Sequence, residues 1–482
     1  MKLAEIDIPI KADENLRASV SSLKLKKHIG LMSSVTIIVG TIIGSGIFIS
    51  PTGVIKNANS LGAAIIIWIA SGLFSLMGAY CYAELGTVIT RSGADYAYFY
   101  EAFGEFAAFL RLYIEVVVVR PSTTAIVAIT FANYALVPFY HGCAPPELAN
   151  KLLAAASIMT VSFINCYSVK LTTRVQDLCM VAKMAALLAI IFCGFYNLAI
   201  GRTAEFDNMF QGTSNDFGAL VNAFWSGLFS YTGWHYLNCL IDEMKNVKRD
   251  LPLAIIISCL VVTAIYTLAI CAYGTVLTIS ETMTTTAIGI SFAKKMFGPG
   301  WMVMPGFVAL SCFGGMNGTI FTTSRLFYAG AQYNHMPKLC SMIHRTKLTP
   351  IPAVLVTCAT SCLFLIAGDI YQIMNCLNFV QYSAFAIAVV SLLIFRVKRP
   401  NVKRVVKVPL PIPITYILCT VLLVFLSFKG SPVESLIGIG LVLTGVPIYM
   451  LAIYIKKPVS LERQLRRFTI WNQRVFDIVP SK

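Results

Sequence analysis

Residues 40–50 read GTIIGSGIFIS, placing Gly40, Gly44, Ser45 and Gly46 at the middle of an apolar run of membrane-spanning length. A helix in lipid satisfies its backbone through its own hydrogen bonds. Small residues at its centre have two readings. They let neighbouring helices pack closely, or they mark a point where the helix unwinds and its free ends hold a ligand. The rest of the chain decides between them.

Of the 482 residues, 57% are hydrophobic and only 12% charged. Apolar runs recur from end to end, many long enough to cross a hydrocarbon core of roughly 30 Å. They include Ala63–Leu85, Leu152–Asn165, Val181–Phe195, Leu253–Val276, Val303–Cys312, Val354–Ile366, Ala384–Phe395, Ile412–Phe428 and Leu436–Ile455. With the shorter and interrupted runs, about twelve spans are expected. The fold class is therefore an all-α polytopic membrane protein. The opening residues are charged and polar, so the first span is expected to direct insertion as well.

A net charge of +16 raises the question of nucleic acid, and its placement answers it. Lys24, Lys26 and Lys27 precede the first span. Alternate connections then collect Arg91, Lys170, Arg174, Lys245, Lys248, Arg249, Lys338, Arg345 and Lys347. A dense cluster follows from Arg396 to Lys407, and the tail adds Lys456, Lys457, Arg466 and Arg467. The opposite connections hold mainly Lys56, Arg202, Lys294, Lys295 and Lys429. This asymmetry places both termini in the cytoplasm. The basic residues orient the chain in lipid, and nucleic acid is not an expected partner.

The fourteen cysteines are scattered, with no CxxC pair and no Cys/His cluster, so neither metal nor cofactor is expected. Most read as small apolar packing residues. Cys143 differs, because PFYHGCAPPELA is a loop that the charge pattern puts outside. A lone cysteine in an oxidising compartment invites an intermolecular bridge, a free surface thiol being the other reading.

A second interrupted span, Phe224–Leu240 (FWSGLFSYTGWHYLNCL), carries Gly227, Ser230, Thr232 and Gly233. Four spans separate the two breaks, so the second enters from the opposite side of the membrane. Paired interruptions in inverted halves point to the binding site of a secondary transporter. Elsewhere, SETMTTTAIGISFAKKMFG has the apolar spacing of one short interfacial helix, and ELGTVITRSGADYAYFYEAFG is expected to lie along the membrane surface. The sequon Asn317-Gly318-Thr319 falls inside a span and should be unused.

With these residues in view, the chain resembles the light chains of heteromeric amino acid transporters, the L-type branch of the amino acid–polyamine–organocation superfamily. The resemblance runs from about His28 to Lys456. It rests on VGTIIGSGIFISPTGV, YCYAELGTVITRSGADYAY, NCYSVKLTTRVQD, SGLFSYTGWHYLN, LPLAIIIS, LSCFGGMNGTIFTTSRLFYAG and TPIPAVL, in that order. It implies twelve helices, the first ten forming two inverted five-helix repeats with helices one and six discontinuous. The expected boundaries are a cytoplasmic tail at 1–28 and a transporter domain at 29–455. Within that domain the repeats cover 29–197 and 218–397 and the last two helices 411–455; a cytoplasmic tail at 456–482 follows.

An α-amino acid offers a carboxylate and an ammonium on one carbon, and a broken helix supplies partners for both. The half-helix starting near Ile47 presents free amides backed by the positive end of its dipole, with Ser45 and Gly46 the candidates for the carboxylate. The half-helix ending near Ile42 leaves bare carbonyls for the ammonium. Candidate substrate-binding residues are Ile42, Ile43, Gly44, Ser45 and Gly46 in the first break, and Phe229, Ser230, Thr232 and Tyr236 in the second. The resemblance makes Phe229 the outer gate and Cys143 the bridge to a single-span glycoprotein heavy chain. Relatives accepting basic amino acids carry an acidic residue at the position of Thr232, so a hydroxyl there favours neutral substrates. His235, Gln381 and Tyr382 are the expected side-chain subpocket.

Lys183, about two turns inside the fifth span, either snorkels to the interface or, as the resemblance implies, stands where sodium-coupled relatives bind an ion. Glu115 and Arg120, five apart, do not face each other on an α-helix. Each is expected to pair with another helix in a structural role. The leading function is sodium-independent exchange of neutral, large amino acids across the plasma membrane. The competing reading is exchange of basic for neutral amino acids with sodium. No filter motif marks a channel, and the five histidines, mostly in loops, do not converge as an enzyme requires. A non-transporting sensor on the same fold remains open.

Overall fold

The computed structural model describes residues 27, 29–90, 93–140, 145–201, 204–285, 287–366, 370–430, 432–454 and 459–480; Cys143 lies outside them. The first interrupted stretch forms two helices, α1 (Leu31–Ile42) and α2 (Gly46–Ala58), bent by 44° at the intervening residues. Next come α3 (Leu61–Val88), α4 (Asp95–Phe103) and α5 (Glu105–Ile114). A π-helical turn over Glu115–Val119 joins α5 to α6 (Arg120–Leu136). α7 (Glu147–Tyr167) and α8 (Val169–Ala199) close the first half.

The second half opens with α9 (Phe217–Ser230), which ends in the second break and passes into a 3-10 turn at Trp234–Cys239. It continues through α10 (Val247–Gly274), α11 (Ile279–Thr284), α12 (Ile288–Phe297) and α13 (Val303–Gln332). Strand β1 (Met342–His344), α14 (Ile351–Phe364) and α15 (Ile370–Lys398) follow, then α16 (Pro411–Gly430) and α17 (Pro432–Tyr449). The tail forms α18 (Val459–Phe476) and β2 (Ile478–Pro480), which pairs antiparallel with β1.

Nine helical stretches among the described residues are long and apolar enough to cross a membrane, ten with the bent pair counted as one. Two shorter apolar helices, Phe217–Ser230 and Ile351–Phe364, accompany them. The burial pattern is that of a protein in lipid. Phe192, Leu422 and Phe425 face outward while Lys183, Arg120 and Asn317 are buried. The chain is a multi-pass membrane protein.

Pairing between the halves brings the breaks together. α2 packs on α9, α1 on the 3-10 turn after the second break, α3 on α10, α6 on α13 and α7 on α14. Asn317 is buried, donating to the Thr172 carbonyl at 3.1 Å and to Gln176 Oε1 at 2.9 Å, so the sequon is inaccessible.

Three expectations need correction. Glu115 and Arg120 do pair, Arg120 Nε donating to Glu115 Oε2 at 2.7 Å. The reason is the π-turn that begins at Glu115, since its wider coil sets residues five apart on one face. Arg111 donates to the other Glu115 oxygen and to Asp95, forming a buried chain Asp95–Arg111–Glu115–Arg120. The single interfacial helix is two, because the chain breaks after Thr284 and restarts at Ile288. A capping box between Thr278 and Glu281 starts the first piece. The Lys295 ammonium, 2.6 Å from Glu281, ties in the second and holds the Glu281 carboxyl down to about 2. Finally, Glu84–Val88 belongs to the long α3, leaving α4 as a separate helix whose first five residues are buried. Glu84 is buried at that helix end, where Arg396 Nε donates to it at 3.0 Å and Arg404 stands 3.3 Å away.

Breaking a buried ion pair from one side costs about 3–5 kcal/mol, because the partner charge stays buried. Glu115→Gln should therefore lower the melting temperature of the purified protein by several degrees. Glu147→Gln, at the exposed pair with Lys151, should leave it nearly unchanged. Equal melting temperatures for both variants would show that the chain of charges does not hold the fold.

Candidate functional site

At the first break α1 stops at Ile42, and Gly44 turns its amide back to the Ile42 carbonyl at 2.9 Å. Phe48 and Ile49 direct theirs to the Ser45 carbonyl at 3.0 and 3.1 Å. The first amides of α2, those of Gly46 and Ile47, have no acceptor within their own helix and sit at its positive end. Ser45 Oγ is buried there without a partner among the described residues.

At the second break α9 ends at Ser230, and Gly233 reverses the chain with φ at +123°. A side chain at Gly233 would be strained and would also meet the Thr41 carbonyl carbon at 3.2 Å. A Cβ on Gly46 would stand 2.7 Å from Ser230 Cα. The two breaks are thus in backbone contact, and glycine is required at both points.

Three side chains from distant helices anchor the loosened backbone. Lys183 on α8 is fully buried, and its ammonium donates to the Gly40 carbonyl at 2.8 Å and to that of Ile43. It reaches into the break rather than toward an interface. Tyr266 on α10 directs its hydroxyl to the carbonyls of Ile42 at 3.1 Å and Ser230 at 3.3 Å, one from each break. Ser311 on α13 donates to the Gly44 carbonyl at 3.2 Å.

Between the breaks lies a cavity. Of the expected residues, Ile42, Gly44, Ser45, Gly46, Phe229, Thr232 and Tyr236 line it. Ile43 and Ser230 stand behind, their carbonyls turned to Lys183 and Tyr266. The Phe229 ring also belongs to an apolar cluster with Ile126, Leu377 and Phe379. Thr232 Oγ1 bonds back to the Leu228 carbonyl at 3.3 Å.

The expected subpocket is elsewhere. His235 lines a second cavity of about 220 Å³, walled also by Asp95, Arg111, Glu115 and Arg120. Gln381 Nε2 lies 3.4 Å from His235 Nε2. Tyr382 donates to the Leu228 carbonyl at 3.2 Å and packs among Phe74, Trp225 and Phe385. Tyr236 separates the cavities: it lines the first, and the Arg120 guanidinium lies 3.6 Å from its ring centre on the side of the second.

Sequence reasoning missed Thr41, Thr123, Val127, Gly315 and Thr319 in the first cavity wall. Gly315 and Thr319 are four apart in FGGMNGTIFTTS and so share one helix face; that signal was available. Tyr266 and Ser311 had none beyond a hydroxyl in an apolar run, which when buried needs a partner.

Residues 29–455 match the amino acid permease family. The chain is 41% identical over 476 residues to the large neutral amino acids transporter small subunit 2 of Mus musculus, covering 97% of this chain and 90% of that one. It is 40% identical over 459 residues to the Asc-type amino acid transporter 1 of Homo sapiens, covering 94% and 88%. The Homo sapiens cystine/glutamate transporter is 40% identical over 461 residues, covering 95% and 92%.

Losing one partner of a buried hydrogen bond costs about 1–3 kcal/mol. Tyr266→Phe should therefore lower the melting temperature, since it strips a donor from both breaks. Tyr273→Phe on the same helix is the control, because that buried hydroxyl has no partner among the described residues. If the two variants melt alike, Tyr266 does not hold the breaks.

Proposed function

The chain belongs to the amino acid permease family, and from that premise we propose that it is a sodium-independent exchanger of neutral, large L-amino acids. It is a transporter and not an enzyme. One observation carries the choice of substrate. Two open helix ends face one cavity, and no residue lining it carries an ionised side chain among the described residues. The backbone supplies complementary charge for the amino acid head, and the neutral wall supplies none for a charged side chain.

In this reading the substrate carboxylate takes the amides of Ser45 and Gly46 and the Ser45 hydroxyl. The ammonium takes the carbonyls of Phe229 and Thr232 at the second break, those of Ile42 and Ser230 being already held by Tyr266. Phe229 closes over the bound molecule from outside. Lys183 supports independence from sodium, since its ammonium already sits on two carbonyls of the first break, where a metal cation would find its ligands. A basic–neutral exchanger with sodium-dependent neutral transport is the competing reading, and both Lys183 and the neutral Thr232 argue against it.

Twelve helices in a 5+5 inverted arrangement fit the ten spans and two shorter apolar helices. Further support comes from the way elements at equivalent positions in the two halves pack on one another. Alternating access then moves one half against the other around the breaks. Both termini lie in the cytoplasm, and Cys143 bridges outside to a glycoprotein heavy chain that supplies the glycan. The relative at 41% identity is itself named a small subunit. The heterodimer resides in the plasma membrane.

Counterflow of radiolabelled leucine in proteoliposomes, with and without a heavy chain, tests transport directly. Leucine should exchange equally in sodium and in choline, while arginine uptake stays near background; strong arginine transport would overturn the neutral assignment. Gly46→Ala should reduce leucine counterflow at least about tenfold, because a methyl there pushes the breaks apart in a site where small displacements matter.

A further inference from the structure

The helix after the last span is built differently from every span before it. Residues 459–476 read VSLERQLRRFTIWNQRVF, with four arginines against one glutamate. Phe468, Trp471 and Val475 fall on one face of α18 and are 55%, 57% and 52% exposed. Arg463, Arg467 and Arg474 share the adjoining face, all exposed, and form no ion pair among the described residues. A third face holds the helix to the protein, where Asn472 is buried and Gln473 donates to Met342 Sδ at 3.6 Å.

Both ends of this helix are fixed. Its start, Val459, is five positions beyond Tyr454, the last described residue of the final membrane helix, so chain length alone keeps it near that helix. Its end runs into β2, which pairs Ile478 with His344, Ile343 with Val479 and Met342 with Pro480. The Arg345 amide adds a bond to the Asp477 carbonyl at 3.0 Å. β1 lies between α13 and α14 in the transporter body. The apolar and cationic faces are therefore held beside the transporter body, near the end of the final membrane helix, rather than on a free tail.

We propose that α18 is an interfacial helix that docks on anionic phospholipid headgroups of the membrane leaflet next to it. Its aromatic face enters the acyl boundary and its arginines take the phosphates and carboxylates above. Charge complementarity selects the occupant, since arginines with no ion pair among the described residues, beside exposed aromatic residues, match an anionic bilayer surface. Tethering at both ends removes most of the ordering cost that a free amphipathic tail meets on binding. The inference rests on α18 lying at a membrane face but is independent of the substrate transported.

The full-length protein, with its heavy chain if one copurifies, is placed in nanodiscs of phosphatidylcholine alone or with about 30 mol% phosphatidylserine. Amide hydrogen exchange is then read across residues 459–476. Exchange should slow at least about fivefold in the phosphatidylserine discs, and the difference should shrink in high salt. The triple variant Arg463→Gln, Arg467→Gln and Arg474→Gln should lose that difference while residues 478–480 keep their protection, showing the tail still docked. Phe468→Ser with Trp471→Ser should raise exchange in both lipids. The proposal is overturned if exchange is the same in the two discs, or if the arginine variant keeps the phosphatidylserine effect. Equally fast exchange in every disc would leave the face to a protein partner. None of these outcomes depends on leucine counterflow.

Discussion

A peptide group that loses its helical partner inside a bilayer must find another, at a cost of several kcal/mol if it does not. Residues 42–46 and 230–233 impose that constraint on everything around them. The ammonium of Lys183, the phenol of Tyr266 and the hydroxyl of Ser311 come from three helices far apart in sequence and converge on the carbonyls of the breaks. What stays open is the amide side, at the start of α2. In the proposed reading those unanswered amides take the carboxylate of an amino acid.

Charge within the membrane follows the same logic of local compensation. Glu115 lies between two arginines, Arg325 Nε donates to Glu243 at 3.0 Å, and Glu84 takes Arg396 and Arg404. Two members of the basic cluster at 396–407 therefore have a structural role. The Asp95-to-Arg120 chain ends under Tyr236, so the wall of the cavity between the breaks rests on a buried ionic support. This explains how a neutral pocket and a strongly charged cavity lie side by side with only one aromatic ring between them.

Much of this was legible in the residues. The glycines located both breaks, and α1 ends at Ile42 as expected. The sequon at Asn317 was buried as its span required. Reading failed where geometry departs from the ideal helix or where partners are remote. The spacing of Glu115 and Arg120 excludes contact only if the helix is α, and EVVVV carries no mark of a π-turn. His235 and Gln381 do meet, but around the second cavity, because the 3-10 turn after Gly233 rotates His235 away from the first. The pairing of β2 with β1 joins residues more than a hundred positions apart. No local pattern in three-residue strands foretells it.

The Tyr266 hydroxyl has one hydrogen and two acceptors, the Ile42 and Ser230 carbonyls, at nearly equal distances. Such a three-centre bond is soft along the line between its acceptors, because lengthening one contact shortens the other. A shift between the two unwound segments therefore moves the hydrogen from one carbonyl toward the other. α10 thus ties both interrupted segments together through a single phenolic hydrogen.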